Sequence, residues 1–404
     1  MTTPAAVPDR VPGQWSALTG LACAVLLAMS PWFSAAAVLP HFRAVWALTD
    51  SAAAGLTLAV QLGFVLGALL SAALNLADRA PGQQLIWAGA LLAAGANLGL
   101  LFVSDFLLAL AVRALTGAAL ALVYPPALKA MAAWFRTGRG VALGVMVGAL
   151  TLGSALPHLI NGLGGTQWQA VIVTTSLLAV LGGVLASRVP SGPYQRPAPA
   201  FQPARAWQIL TERQLSRVTL GYLGHMWELY ALWAWFGAFF AQLLSENRVP
   251  DPTGTAAFAT FAVIGVGAAG CYLGGVLADR WGRARLTMLA MGMSGGCALV
   301  LAGLVWAGAE PLLLLAVSLV WGFWIIADSA QFSALASELA DPAYVGTALT
   351  AQLALGFTLT AASIALVPLL VRVWGWPGAF AALSAGPLLG MLAMRPLTRL
   401  TATA

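Results

Sequence analysis

Twelve apolar runs of about 20 residues each account for most of this 404-residue chain. They cover 17–38, 52–74, 85–103, 106–128, 140–160, 169–188, 215–243, 255–277, 286–307, 312–336, 346–370 and 376–394. A helix of this length spans the roughly 30 Å hydrocarbon core of a bilayer. Continuous apolar runs favour helices over barrel strands, whose apolar residues alternate. We therefore predict an all-α integral membrane protein with twelve transmembrane helices.

Lys and Arg residues are divided unequally between the two sides of the membrane that these runs define. All but four of the 19 fall on the side that holds both chain ends; the exceptions are Arg43, Arg113, Arg248 and Arg372. Because positive charge concentrates in cytoplasmic loops, we expect both termini in the cytoplasm. The basic residues are scattered over short loops, so the net charge of +6 does not indicate nucleic acid as a partner.

A polar stretch separates the first six runs from the last six. Residues 189–213 hold five prolines and several arginines, a composition typical of a stiff linker that lies near anionic lipid headgroups. We predict two six-helix units, residues 1–188 and 214–404, joined by this cytoplasmic linker.

The two predicted units share short sequence matches at a nearly constant offset. Residues 76–79 recur at 277–280, residues 140–143 recur in part at 346–349, and residues 183–188 recur in part at 390–395. Each match lies at the same place in its own half. A duplicated six-helix unit is typical of transporters that bind their substrate between the repeats, near the membrane midplane.

One cytoplasmic loop carries a recognisable motif. After the eighth run, Gly275, Asp279, Arg280, Gly282 and Arg283 form G-x-L-A-D-R-x-G-R, which resembles the loop motif of the major facilitator superfamily. The first copy of the motif is degraded, although it keeps an Asp and an Arg; these are Asp78 and Arg79. We expect a gating role, in which Asp279 binds a neighbouring helix N-terminus and pairs with Arg280 or Arg283. The alternative is that the arginines only fix topology.

The resemblance implies a fold and a function. In the fourth run, Arg113 and Gly117 resemble the family's R-x-x-x-G motif. The implied fold is two pseudo-symmetric six-helix bundles that rock about a central cavity. The implied function is secondary transport of a small molecule, by a monomer in the lipid bilayer and without a cofactor.

A narrower resemblance covers the stretch from Ala133 to His158. It is similar to a bacterial branch often labelled nitrate/nitrite- or cyanate-permease-like, which implies a bacterial inner membrane. Nitrate porters of that label carry arginines in the second and eighth helices. Spans 52–74 and 255–277 contain none, so we do not expect nitrate as the solute.

Three full charges lie inside predicted spans: Arg113, Glu228 and Asp328. A charge at the bilayer centre costs roughly 2.5–3.5 kcal/mol on insertion scales, so such residues usually face water or one another. They fall on the fourth, seventh and tenth helices, which the family resemblance places around the cavity. We therefore expect the three side chains to meet in one aqueous chamber, with His225 on the same helix face as Glu228.

We interpret this group as a coupling and substrate site. Glu228 or Asp328 would carry a proton in each cycle, and Arg113 would stabilise the ionised acid or bind a substrate carboxylate. The alternative is a static charge pair between helices. Four further polar candidates have ordinary interhelical hydrogen bonding as their alternative role; they are Gln61, Tyr124, Gln331 and Gln352.

These residues predict a proton-coupled transporter of a charged or zwitterionic organic solute. The alternatives are an uncoupled facilitator, or an exporter of metal cations or drugs with the same fold. No P-loop, HExxH, GxSxG or Cys/His pattern is present, so we predict neither an enzyme nor a resident metal site.

Overall fold

The structure is a computed structural model that describes residues 11–164, 167–194, 201–341 and 343–399, except the side chains of Asp50, Ala77, Asp78 and Arg399. These residues form helices joined by short connections, with no strand among them. Eight helical segments are long and apolar enough to cross a bilayer. Three further helices bring the number to eleven: Gln14–Ala28, Gly82–Gly99 and Arg213–Glu246. The last of the eight segments contains two helices, which gives the predicted twelve.

We number the membrane helices 1 to 12. Helices 1 to 6 are Gln14–Ala28 continued by Ser34–Ala37, Asp50–Ala73, Gly82–Gly99, Phe106–Leu120 continued by Tyr124–Ala132, Arg139–Gly164, and Trp168–Ser187. Helices 7 to 10 are Arg213–Glu246, Pro252–Gly265 continued by Gly267–Trp281, Arg283–Trp306, and Pro311–Trp324 continued by Ser329–Leu339. Helices 11 and 12 form the single segment Val345–Met394, which turns at Gly375, where φ is 67°. Glycine adopts this left-handed conformation at little cost.

Carboxylates begin two of the helices on the side opposite the chain ends. Asp105 accepts hydrogen bonds from the backbone N–H groups of Leu107 and Leu108, at 2.8 and 3.1 Å. Asp251 accepts one from the N–H of Gly254 at 3.0 Å. The first N–H groups of a helix have no intrahelical partner, so these caps define where helices 4 and 8 begin.

Glycines bring equivalent helices into backbone contact in the two halves. A Cβ on Gly117 of helix 4 would lie 2.0 Å from the carbonyl oxygen of Val60 in helix 2. A Cβ on Gly322 of helix 10 would lie 1.9 Å from the carbonyl oxygen of Val263 in helix 8. Only glycine permits so close an approach. The repeated contact is the structural counterpart of the sequence repeat, and the two-bundle fold is as predicted.

Besides helix 8, which is interrupted at the single residue Val266, three helices near the centre are interrupted over several residues. Helix 1 is broken between Ala28 and Ser34, helix 4 between Leu120 and Tyr124, and helix 10 between Trp324 and Ser329. Prolines accompany the first two breaks, because proline lacks the N–H that a helix needs. No proline lies in the break of helix 10. Each interruption leaves backbone carbonyls that other groups must satisfy inside the membrane.

The two halves meet along two pairs of helices. Helix 5 packs against helix 8, and helix 2 packs against helix 11. The predicted linker, 189–213, lies between helices 6 and 7, although its residues 195–200 are outside the described part of the chain. The domain limits at 188 and 214 stay a prediction.

Candidate solute cavity and buried charge clusters

A cavity of about 80 Å³ lies between the two halves. Helices 4, 5, 7, 10 and 11 line it, in their parts nearer the predicted cytoplasmic side. Its polar lining consists of tyrosine and serine hydroxyls, namely those of Tyr124, Tyr222, Tyr230, Ser329 and Ser333. None of the lining side chains carries a full charge. A solute in this cavity would therefore meet hydroxyl groups and apolar or aromatic surface.

Six aromatic side chains, which we call the aromatic plug, close the space above the cavity. The first half contributes Trp32, Phe33 and Phe64, and the second half contributes Tyr230, Trp233 and Phe357. Ring centroids lie 5.7 Å apart for Trp32 and Phe357, 4.9 Å for Phe64 and Phe357, and 6.0 Å for Phe33 and Trp233. Tyr230 and Phe357 also line the cavity, so the plug lies directly on it. The plug joins the halves through tilted and edge contacts, which aromatic rings favour.

Arg113 lies within the first half and does not reach the cavity. Its Nη1 donates to the carbonyl oxygen of Pro31 at 3.0 Å and to Asn97 Oδ1 at 3.1 Å, and its Nη2 donates to the carbonyl oxygen of Trp32. These carbonyls belong to the interruption of helix 1. The expected pairing of Arg113 with Glu228 is therefore corrected, because backbone oxygens of helix 1 occupy the guanidinium.

Asn97 extends this network to helix 6. Its Oδ1 also accepts a hydrogen bond from Ser34 Oγ at 2.7 Å. Its Nδ2 donates to Thr175 Oγ1 at 3.1 Å and to Ser176 Oγ at 2.9 Å. All four side chains are buried. The network thus joins helices 1, 3, 4 and 6 through polar contacts, and Arg113 makes no charge pair with Glu228 or Asp328 in it.

Glu228 lies within the second half, 1 % exposed, between helices 7, 9 and 10. Its Oε1 accepts a hydrogen bond from Ser294 Oγ at 2.5 Å, and its Oε2 accepts one from Trp321 Nε1 at 3.0 Å. It is absent from the cavity lining. The three charges do not meet in one chamber, which corrects the expectation from sequence. Packing rotates helices 4 and 7 so that each charge faces its own bundle.

His225 and Asp328 form the titratable pair nearest to the cavity. His225 Nδ1 lies 2.9 Å from Asp328 Oδ1, in a close contact that is not an aligned hydrogen bond. Both side chains are buried, and His225 Nε2 has no hydrogen-bond partner in the described part of the chain. Asp328 ends the interruption of helix 10, next to Ser329 of the cavity wall. The imidazole lies 6.1 Å, between ring centroids, from Tyr222, another wall residue.

The loop that carries the motif, predicted to act in gating, joins helix 8 to helix 9, and Arg283 at the start of helix 9 contacts helix 10. Arg283 Nε donates to Glu338 Oε1 at 2.8 Å, and Arg283 Nη1 donates to Gln331 Oε1 at 2.7 Å. Gln331 therefore binds Arg283 of the motif and does not line the cavity. Gly282, with φ of 88°, provides the turn into helix 9.

A second contact of the motif joins the two halves. The Asp279 carboxylate lies against Gly140 in the first turn of helix 5, where a Cβ would be 2.3 Å from Asp279 Oδ1. A Cβ on Gly275 would lie 2.5 Å from the Gly140 carbonyl oxygen. A carboxylate at a helix N-terminus is stabilised by the helix dipole. Arg283 binds Glu338 and Gln331 instead of the expected Asp279, and the gating role stays a prediction. Arg79 and Arg280 are exposed.

The first copy of the motif cannot be compared in full, since the side chain of Asp78 lies outside the described residues.

The remaining polar candidates are dispersed. Tyr124 lines the cavity, as noted above. Gln61 and Gln352 are buried in helices 2 and 11, outside the cavity lining. Neither amide atom of Gln61 has a hydrogen-bond partner in the described part of the chain, and Gln352 Nε2 has none there either.

The end of the linker binds the second half. The Tyr344 hydroxyl donates to the Glu212 carboxylate, and this hydrogen bond raises the pKa of Tyr344 above its usual value. The Gln202 N–H donates to Thr347 Oγ1 at 2.9 Å. The start of helix 11 is thereby tied to the start of helix 7.

Several important residues were missed from sequence. Trp32 and Phe33 follow Pro31 inside an apolar run, where a proline was the available signal of a break. Ser294 and Trp321, the partners of Glu228, carry no local signal, because their role depends on three helices coming together. The same holds for Asn97.

Comparisons with protein families and with solved structures both give matches. A family profile described as Major Facilitator Superfamily matches residues 21–365. The fold is similar to that of a bacterial homologue of the human lysosomal transporter Spinster, solved in an inward-facing and unoccupied conformation. The two chains are 15% identical, the match covers 95% of this chain and 97% of the other, and the TM-score is 0.68. At that identity the likeness shows the fold alone.

Among curated proteins, no significant sequence match is found. Nothing in these findings supports the nitrate- or cyanate-permease-like branch, so that narrower placement stays a prediction.

Proposed function

We propose, because the chain belongs to the major facilitator superfamily, that it is a secondary transporter which couples the movement of a small organic solute to protons. Family and fold support membrane transport of a solute. The cavity between the halves supports a solute site there, reached alternately from each side as the halves rock.

The observation that carries proton coupling is the His225–Asp328 pair. Buried ionisable residues inside membrane helices commonly serve as proton relays. This pair is buried, only 2.9 Å apart, and adjoins both the cavity wall and the break in helix 10. Glu228 lies close enough to interact electrostatically with Asp328. A proton taken up by the pair would therefore change the electrostatic interactions of helix 10 beside the solute.

The geometry weakens two alternatives. Among the described residues, no three His, Cys, Asp or Glu side chains are grouped as a metal ion requires, so metal-cation transport gains no support. Arg113 is occupied by backbone oxygens, so a substrate carboxylate gains no obvious partner. An uncoupled facilitator stays the second candidate, because the same fold transports without a proton if the pair is static.

We also propose a bacterial inner membrane, with both termini cytoplasmic, as the location. The distribution of Lys and Arg over the loops supports this orientation. A monomer is the proposed working unit, because one chain contains the whole cavity.

Proteoliposomes test the coupling. Full-length protein is reconstituted with trapped pyranine, fractions of a metabolite extract are added, and internal pH is recorded. The solute of an active fraction should then accumulate inside the vesicles under an imposed pH gradient, and it should exchange across the membrane when no gradient is imposed. Asp328→Asn should keep exchange while losing about tenfold in pH-driven accumulation, because the amide cannot carry the proton.

The control is Asp105→Asn, which keeps the helix cap at an exposed position. It should match the wild type in both assays. Wild-type pH-driven accumulation by D328N would exclude this pair as the coupling site and favour the uncoupled facilitator. Melting temperatures of both variants establish that folding is intact.

A further inference from the structure

Unpartnered polar atoms gather around the aromatic plug. Trp32 Nε1, Trp233 Nε1, His158 Nε2 and both amide atoms of Gln61 are buried without a hydrogen-bond partner in the described part of the chain. The four side chains are 2 %, 1 %, 5 % and 0 % exposed, respectively. A buried donor or acceptor left unpaired costs about 1–3 kcal/mol, and native structures contain few. Several unpaired polar atoms in one place indicate a site that binds a polar group in another conformation of the protein.

These atoms belong to one neighbourhood between the halves. Phe33 lies 6.0 Å from Trp233 and 6.5 Å from His158, measured between ring centroids. Trp32 lies 4.9 Å from Phe64, and Gln61 precedes Phe64 by three residues, on the same face of helix 2. The neighbourhood therefore draws on helices 1, 2, 5 and 7. It adjoins the cavity through Tyr230 and Phe357.

Two other tryptophans of helix 7 have a hydrogen-bond partner at the indole N–H. Trp227 Nε1 donates to the carbonyl oxygen of Ala382 at 3.1 Å, and Trp235 Nε1 donates to that of Ile364 at 2.9 Å. Trp233, on the same helix, has no such partner in the described part of the chain. Among these three tryptophans of helix 7, the one whose indole N–H has no partner is therefore the one that contacts Phe33 of the other half.

The chemistry of this neighbourhood is uncharged. Its members are indole, imidazole, amide and aromatic groups, and the Arg113 guanidinium is bound to the backbone oxygens of Pro31 and Trp32. Flat rings separated by 4.9–6.2 Å can accept a planar group between them once they part. Indole N–H groups are donors only, so they require acceptors on the ligand.

We propose that the aromatic plug and these four polar side chains form the recognition site for an uncharged, planar organic solute that carries hydrogen-bond acceptors. The proposal rests on the transport function above and names its substrate class. When the halves separate at the plug, the solute ring stacks among the aromatic rings. Trp32, Trp233 and Gln61 then donate to its acceptors. This class replaces the charged or zwitterionic solute expected from sequence.

Four one-ring probes separate the possible classes: benzamide, benzoate, benzylammonium and toluene. Calorimetry on purified full-length protein measures the binding of each. Benzamide should bind most tightly, because it alone combines a planar ring and acceptors with no charge. Trp32→Phe and Trp233→Phe should each weaken benzamide binding about fivefold, since each keeps a ring and removes one donor.

Matched controls are Trp227→Phe and Trp235→Phe, whose N–H groups already bind backbone oxygens. Both should leave benzamide affinity unchanged. Tighter binding of benzoate or benzylammonium, no binding of benzamide, or equal losses in all four variants would overturn the proposal.

Failure of this site and failure of transport are distinguishable. If the protein transports a charged solute in proteoliposomes and Trp32→Phe does not change that flux, the proposed recognition site is excluded while the transport function is supported. Benzamide binding that depends on Trp32 and Trp233, without flux of any solute, would support the site and remove the transport function.

Discussion

The two halves share a backbone plan but use buried charge differently. In the first half, the Arg113 guanidinium makes four hydrogen bonds to groups around the break of helix 1. In the second half, the His225–Asp328 pair is left with unpartnered atoms in the described part of the chain. Arg113 Nε also lacks a partner in the described part of the chain, but both Nη atoms are bound. A guanidinium held at both Nη atoms stabilises one arrangement of helices, whereas a pair without aligned hydrogen bonds can respond to a proton or a movement. Duplication of the fold thus did not duplicate its chemistry.

The largest expected effect comes from removing the charge of the first half. Arg113→Leu removes the side-chain donor from the Trp32 carbonyl oxygen and one of the donors from that of Pro31, which keeps its contacts with Ser34. We expect a loss of about 3 kcal/mol in stability, seen as a lower melting temperature in detergent and poor yield. Arg372→Leu, at an exposed position, should have no such effect. A stable R113L protein that binds but no longer transports solute would show that this charge acts in the cycle, and the contrast between halves would disappear.

An intermediate effect is expected at the two equivalent glycine contacts. Gly117→Ala and Gly322→Ala each place a Cβ about 2 Å from a backbone oxygen, so each should cost about 2 kcal/mol of stability. Gly95→Ala and Gly296→Ala, with no other atom within 4 Å of the added Cβ, serve as controls and should be neutral or stabilising. Thermal unfolding in one detergent compares all four. Unequal losses at the two contacts would show that the halves are not equally packed.

The smallest effect on stability is expected at the gating loop of the second half. Arg283→Ala removes an ion pair whose Glu338 side chain is 55% exposed and a hydrogen bond to the buried Gln331 Oε1, so stability should fall by about 1 kcal/mol. Solute flux in proteoliposomes should nevertheless change severalfold, because helix 10 loses its link to the loop. Arg285→Ala, exposed on the same helix, should leave flux unchanged. A stability loss as large as that of Arg113→Leu would make this loop structural instead.

The sequence predicted the helices far better than it predicted their contacts. The span predicted at 140–160 is Arg139–Gly164, and the span at 52–74 is Asp50–Ala73. The span at 17–38 was predicted as one helix, although the structure breaks it before Ser34. Apolar length specifies a membrane crossing, but an interruption depends on what binds the freed carbonyls. In helix 1 that partner is Arg113, which lies 81 positions from Trp32 in sequence.

The candidate site was predicted in part. Arg113, Glu228 and Asp328 lie on helix 4, on helix 7 and in the break of helix 10, as expected, and the candidate Tyr124 lines the cavity, although its role stays a prediction. The sequence shows which helices carry Arg113 and Glu228, whereas the directions of the two side chains about their helix axes differ. Those directions follow from which helix faces pack together, and spacing along one helix carries no such information.

The sequence by itself determined that the chain crosses a bilayer twelve times, is duplicated, and buries charge at a cost. These properties follow from local hydrophobicity and from the absence of water in lipid. Only the tertiary structure decided that Arg113 binds a broken helix, that Glu228 faces helix 9, and that the cavity is lined by uncharged groups. The physical reason is that a buried charge is satisfied by whichever polar atoms packing brings within about 3 Å, and those atoms come from distant parts of the chain.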